Sequence, residues 1–297
     1  MIRSAGGLRP ARTAASDRAR NLIIRVPATG SVLGRLGLGA GPVDALARAA
    51  LVADVRALAS IDILGVPAVD AVEAGTATGS YLALLDLADR AGIAEDLDIS
   101  LRLALIGQQV ARGGAKIAYE NAAEICARAD TAGATVTLEA GDPTVLDATL
   151  TTLTELRRDV PTTGVTLRAD LPRTPADCRD LARPACRVRL RPGRHPVGPS
   201  AQSLDRAHRD QHDRYAACLG ILMAGPGYPM IAAQDSGLIA FATRLAAQIG
   251  RGRDSFEFQG ARGALRREHR RLAESGYRTR IYLAYGSTPG RAGAARG

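Results

Sequence analysis

The sequence predicts an α/β fold, a (β/α)8 barrel of the TIM type that stops short of its eighth helix. Three observations predict it. Eight short apolar or alternating runs recur along the chain. Stretches of helical spacing separate each run from the next. The 297 residues leave little beyond the ~250 that one such barrel uses. Strand–helix alternation implies parallel pairing, because each crossover returns the chain to the same end of the sheet. Eight such units are the number at which a parallel sheet closes around its own side chains. An open, doubly wound sheet of the same units is the alternative.

The elements follow in order. Residues 43–58 have helical spacing behind Pro42, a residue suited to a first turn. The run Ile61-Asp-Ile-Leu-Gly65 reads as strand one. Helical spacing returns over 70–91, with Val72, Leu82, Leu85 and Ala88 on one side. In Leu97-Asp-Ile-Ser-Leu-Arg-Leu-Ala-Leu105 every second residue is apolar, the period of a strand. A helix over 117–132 stops at Gly133, and strand three follows at 134–138. A helix at 144–158 leads to strand four at 164–168, and a short helix at 175–183 to strand five at 187–190. The long helix 203–224 carries His208, Gln211, Tyr215, Leu219 and Leu222 along one stripe. Strand six is 229–232, then helix 236–249, strand seven 254–258, helix 263–275 and strand eight 279–284. Three regions result: a basic, Gly/Arg-rich lead-in over 1–42, the barrel over 43–286, and a tail over 287–297 expected to be disordered. The tail has no Leu, Ile, Val or aromatic residue with which to cover a sheet edge.

The net charge of +9 first suggests a nucleic-acid partner. Its distribution argues otherwise. Residues 1–48 hold eight Arg against two acids, and 244–297 hold twelve Arg against four. The body between is therefore net acidic. Aromatics make up 3% with no Trp, too few for a base-stacking surface. An Arg-rich polyanion binder is the weakest of the readings. No apolar run approaches the ~18 residues of a spanning helix. Four cysteines (126, 178, 186, 218) without CxxC spacing suggest neither a zinc site nor a disulfide framework, which points to a reducing, cytoplasmic setting. His208 and His212 lie four apart on a helix, but no third ligand accompanies them, so a solvated helix face is expected and no metal. The Gly-rich run 34–41 has GxGxG spacing followed by Pro42, so a flexible loop is expected there and not a dinucleotide fingerprint.

In a barrel of this kind, chemistry sits at the carboxyl ends of the strands. Three segments there carry a resemblance. Val136-Thr-Leu-Glu-Ala-Gly-Asp-Pro-Thr-Val-Leu-Asp-Ala-Thr-Leu150 is similar to VTLDMEDHTTVDATL. Cys218–Asp235 is similar to a segment ending in ATHD. Asp254-Ser-Phe-Glu-Phe-Gln259 resembles DSFEFQMLYG, and Arg280-Ile-Tyr282 an RxY on strand eight. Together they resemble the bacterial, monofunctional proline dehydrogenase family. The resemblance implies an FAD enzyme that oxidises L-proline to Δ1-pyrroline-5-carboxylate and passes electrons to quinone, with peripheral contact at the inner face of a membrane and no nucleic acid. It sets no oligomeric state. Carried over position by position, it implies catalytic roles for Arg102, Glu139 and Tyr282. It implies FAD contacts for Arg189, Gln259, Arg168 and Gln234, and places Asp142, Ala261 and Arg262 beside the substrate.

The sequence departs from the family at several of these positions. Arg102 stands for Lys, Glu139 for Asp, Pro143 and Gln234 for His, Arg168 for Gln, Pro192 for Lys, and Ala261-Arg262 for Leu-Tyr. The family's closing helix with its Arg-Arg pair falls where the short tail lies. A barrel that keeps the scaffold but serves as a binding protein or decayed copy is the alternative.

Overall fold

The computed structural model of the chain describes residues 38–39, 41–53, 57–140, 143–193, 201–233, 235–261 and 266–286. Eight barrel strands run in chain order: β1 (Leu58–Leu64), β2 (Leu97–Leu101), β3 (Thr135–Leu138), β4 (Gly164–Arg168), β5 (Arg187–Arg191), β6 (Tyr228–Ile231), β7 (Glu257–Ala261) and β8 (Arg278–Gly286). Each pairs in parallel with the next, and β8 pairs with both β7 and β1. The sheet is therefore closed, which excludes the open alternative. Among the described residues the helices are α1 (Pro42–Ala53), α2 (Ala71–Ala91), α3 (Gly114–Ala132), α4 (Leu146–Leu156), α5 (Thr174–Leu181), α6 (Ala201–Ala224), α7 (Ser236–Gln248) and α8 (Arg266–Glu274). Helix α1 precedes the barrel and packs on β1 and β8, the two strands that meet at its seam. Its buried Ala45, Leu46, Ala49 and Ala50 form one face at helical spacing.

Helix α2 shows how local chemistry sets an element. Asp70 caps it, its carboxylate accepting from the amides of Val72 and Glu73 at 2.9 and 2.8 Å. Glu73 reaches back to accept from the Val69 amide at 3.0 Å. Gly92 ends the helix at φ 68°, a conformation costly for any residue with a Cβ. The buried face is Ala74, Thr78, Tyr81, Leu85 and Ala88. Val72, expected on that face, is 78% exposed, because it points to the opposite side of the helix from Ala74, two residues on.

Each strand alternates between two environments. Ile61, Ile99, Val136, Val165, Val188 and Ile231 are fully or almost fully buried in the apolar core that includes the helices. The residues between them face the barrel interior. There, layers of branched apolar side chains are usual. Here the interior holds Ser60, Asp62, Asp98, Ser100, Thr137, Thr166, Arg189, Glu257, Gln259 and Arg280, all buried.

Three expectations need correction. Strand two stops at Leu101, not at residue 105. Leu105 and Ile106 donate to the Arg102 and Leu103 carbonyls, so the apolar alternation continues through buried turns. Strand seven begins at Glu257, three residues late, because Gly252–Ser255 is a turn whose Ser255 amide and hydroxyl both donate to the Gly252 carbonyl. Within the Gly-rich run expected to be a loop, Leu38–Gly39 forms a two-residue parallel bridge to Ala284–Tyr285 of β8.

Candidate active site

The site is built upward from the barrel's middle. Arg280 of β8 lies deepest. Its Nε and Nη2 donate to the two carboxylate oxygens of Glu257 at 2.6 and 3.1 Å, and its Nη1 to the carbonyls of Ala59 and Asp96. This is the planar fork a guanidinium offers a carboxylate. Gln259 Nε2 and the Tyr228 hydroxyl also donate to Glu257, at 2.6 and 3.2 Å. Burial raises the pKa of Glu257, but the charges of Arg280 and Arg187 and the hydrogen bonds from Arg280 and Gln259 outweigh it and hold the group down at about 2.

Arg189 of β5 lies next to this pair, and all five of its N–H bonds have a partner. Nε donates to Gln259 Oε1 at 2.7 Å, Nη1 to Ser100 Oγ at 2.8 Å and Glu139 Oε1 at 2.5 Å, and Nη2 to Ser60 Oγ at 3.0 Å and Asp98 Oδ2 at 2.6 Å. Burial opposes its charge, yet the carboxylates of Asp98 and Glu139 overcome this and raise its pKa. Five side chains from β1, β2, the end of β3 and β7 thus converge on one cation, and register explains how. Ser60 pairs with Asp98 across β1–β2, and Gln259 with Arg280 across β7–β8.

Asp62 of β1 forms the top layer and is fully buried. Both of its oxygens accept from Arg102, Oδ1 from Nε at 3.0 Å and Oδ2 from Nη2. The Tyr282 hydroxyl donates to Oδ2 at 2.5 Å. The hydrogen bond to Asp62 raises the pKa of Arg102. Burial, then the Asp62 charge, raises that of Tyr282, so the phenol stays protonated at neutral pH. Arg102 keeps 41% of its side chain exposed.

Above these layers, at the carboxyl ends of the strands, opens a cavity of about 790 Å3. Its floor is Asp62, Arg102, Glu139, Arg189, Gln259 and Tyr282. One wall carries Arg191 at the end of β5 and Arg209 of α6, with His208 and His212 beside them. Gly260 and Ala261 of β7 line another part. Asp235 stands at the start of α7, where its carboxylate caps the Leu238 amide at 2.9 Å.

The structure brings six of the expected residues together: Arg102, Glu139, Arg189, Gln259, Ala261 and Tyr282 all line this cavity. Arg168 does not line it. Its Nε and Nη2 donate to the Asp170 carboxylate at 3.1 and 2.5 Å, two residues along the chain. Asp142, Gln234 and Arg262 lie outside the described residues. His208 and His212 face the cavity as well as solvent. Among the described residues no group of three metal-ligating side chains converges. Sequence reasoning missed Asp62 and Asp98 and did not single out Glu257 and Arg280. A signal existed for the first two: each is an acid between apolar neighbours in a predicted strand, Ile61-Asp-Ile and Leu97-Asp-Ile, where an ionised group needs a buried partner.

A closed parallel barrel with a charged cavity at its strand carboxyl ends is the layout of the (β/α)8 enzymes. No family model matches the chain. Proline dehydrogenase of Deinococcus radiodurans is 31% identical over 205 residues, 68% of this chain and 65% of that protein. Proline dehydrogenase 1 of Bacillus subtilis is 26% identical over 190 residues, 64% of this chain and 61% of that protein. The chain belongs to the proline dehydrogenase family and spans less than two thirds of the length of these relatives. The fold is shared with proline utilization A of Bdellovibrio bacteriovorus inactivated by N-propargylglycine, at a TM-score of 0.75 and 18% identity over 86% of this chain and 31% of that one. Proline utilization A of Bradyrhizobium japonicum gives a TM-score of 0.62 at 20% identity over 77% of this chain and 26% of that one.

Proposed function

We propose that the barrel over 43–286 is the catalytic unit of an FAD-dependent proline dehydrogenase that oxidises L-proline to Δ1-pyrroline-5-carboxylate. The observation that carries this reading is the pairing of a fixed buried cation with a half-exposed one in a single cavity of a proline dehydrogenase relative. Arg189 is locked by five hydrogen bonds, and Arg102 is tethered by Asp62 with 41% of its side chain free.

The residues suit the cofactor. The cavity lies in the upper part of the ~300–1,000 Å3 range of small-molecule sites. The Arg191 and Arg209 of its wall match the charge of a diphosphate, and His208 adds a ring nitrogen for hydrogen bonding. Bound flavin supplies a two-electron acceptor for hydride. Arg189, oriented by Gln259, would supply a positive charge near it, and because every Arg189 donor is already used, Arg189 would act by its field and not by a new hydrogen bond. Arg102 meets the substrate carboxylate with its exposed edge. Tyr282, fixed by Asp62, packs beside the ring, and Glu139 keeps Arg189 in place. Asp142, Gln234 and Arg262 complete the substrate and cofactor contacts, while Arg168 supports the β4 end through Asp170. Electrons pass on to quinone. The exposed Val66 and Val69 of the β1–α2 connection and Val72 in the first turn of α2 offer an apolar contact at the cavity end of the barrel for a membrane surface.

The test is purification followed by visible spectroscopy and proline-dependent dye reduction. A yellow protein that reduces dye only with proline, with Arg102→Met raising KM at least tenfold, supports the reading. A colourless protein that takes up no FAD and reduces nothing refutes it. FAD uptake without turnover selects the binding-protein alternative.

A further inference from the structure

We infer that the site takes a cyclic secondary amino acid larger than proline, with a six-membered ring of the piperidine-2-carboxylate class; this rests on the proline-oxidation reading above. The inference comes from β7. Three alternate residues of this strand face the barrel interior: Glu257 pairs with Arg280, Gln259 with Arg189, and Ala261 lines the cavity. Ala261 is directly in register with Tyr282 of β8, the residue that Asp62 fixes on the cavity floor. The wall beside Tyr282 is thus a single methyl group at this register position. In the motif this strand resembles, the Ala261 position reads Leu. Leu carries three carbons more than Ala.

Among the described residues, His269 does not recover the missing bulk. His269 of α8 lies against the other side of β7, where a Cβ on Gly260 would collide with its Cε1. It is 5% exposed and backs the strand. The space beside Tyr282 therefore comes from the short side chain of Ala261 on a supported strand. A cavity that loses carbons from its wall favours a ligand that adds them, and one methylene more or less shifts preference by about 10–200-fold in the best-fitted sites. The oxidation itself is unchanged by ring size. The ring carbon on the far side of nitrogen from the carboxylate-bearing carbon gives up a hydride, and the nitrogen gives up a proton. A C=N bond forms, and a flavin takes the two electrons.

Two measurements test this. Binding is read by calorimetry with tetrahydropyran-2-carboxylate and tetrahydrofuran-2-carboxylate, in which ring oxygen prevents turnover. The six-membered acid is expected to bind about fourfold tighter, the worth of one buried methylene. Ala261→Leu should reverse the order by about tenfold or more, and Ala261→Val should fall between. Turnover of piperidine-2-carboxylate should exceed that of proline in kcat/KM and show the same reversal. Preference of the parent for the five-membered acid, or equal changes for both acids in Ala261→Leu, overturns the inference and leaves proline oxidation standing. If neither acid binds and neither amino acid is oxidised, both readings fall.

Discussion

Glu257→Gln keeps the shape of the side chain and removes its charge, which isolates what the Glu257–Arg280 pair does. Glu257 is fully buried and Arg280 is 4% exposed, so solvent cannot replace the lost partner. The variant removes the charge from two contacts, at 2.6 and 3.1 Å, and leaves Arg280 with neutral acceptors there, one amide oxygen and the Ala59 and Asp96 carbonyls. Breaking one side of a buried pair costs about 3–5 kcal/mol, because the remaining charge stays desolvated. That is a large share of the roughly 5–15 kcal/mol that holds a typical domain together. The assay is urea unfolding at pH 7 followed by far-ultraviolet circular dichroism, with the midpoint shift read at unchanged slope. The double variant Glu257→Gln/Arg280→Met removes both charges and should recover more than half of the loss. A single variant within about 1 kcal/mol of the parent would refute the reasoning, since surface pairs are worth that little. So would a double variant as weak as the single one.

Acid should act through the same group: with a folded pKa of about 2 against an ordinary 4.5, Glu257 contributes stability that is complete above pH 4.5. That contribution, roughly 3 kcal/mol, is lost as pH falls toward 2. An acid titration of the unfolding midpoint should show this loss in the parent and lack it in Glu257→Gln. Asp62→Asn should release Arg102 and Tyr282 together, raising KM for the amino acid more than it lowers kcat; an unchanged KM would show that neither touches substrate. Gly260→Ala should destabilise by about 1–3 kcal/mol through overpacking on His269. Adding His269→Ala should restore at least half of that, and strictly additive losses would deny the contact.

The strand count, order and parallel pairing were legible because apolar residues at every second position survive wherever helices cover the strand. What lay on the other side of those strands was not. In Leu97-Asp-Ile-Ser-Leu101 the polar residues look like a face turned to water, yet Asp98 and Ser100 are fully buried in the barrel interior. One-dimensional spacing reports that two faces differ and cannot say which of them is dry. The same blindness hid Asp62, whose partners Arg102 and Tyr282 lie 40 and 220 residues away. Strand seven slipped by three residues for a different reason. Phe256 and Phe258 both pack on Tyr277, at 5.7 and 5.6 Å between ring centres, so the apolar run begins before the ladder does. Arg168 stood at a strand end like the other candidates, and only the acid two residues later decides where its guanidinium goes.

The pairing of β8 with β1 also governs how the barrel comes into being. Tyr282 and Asp62 are 220 residues apart, so their bond belongs to the costliest loop of the chain to close. On a ribosome, β1 emerges first and waits with an unpaired edge until almost the entire barrel has been made. During that interval Asp62 lacks the phenol that completes the cavity floor, and Arg280 has no place beside Glu257. The eighth barrel strand therefore closes the sheet and assembles the site in one event, which makes chaperone demand and active-site maturation two readouts of the same step.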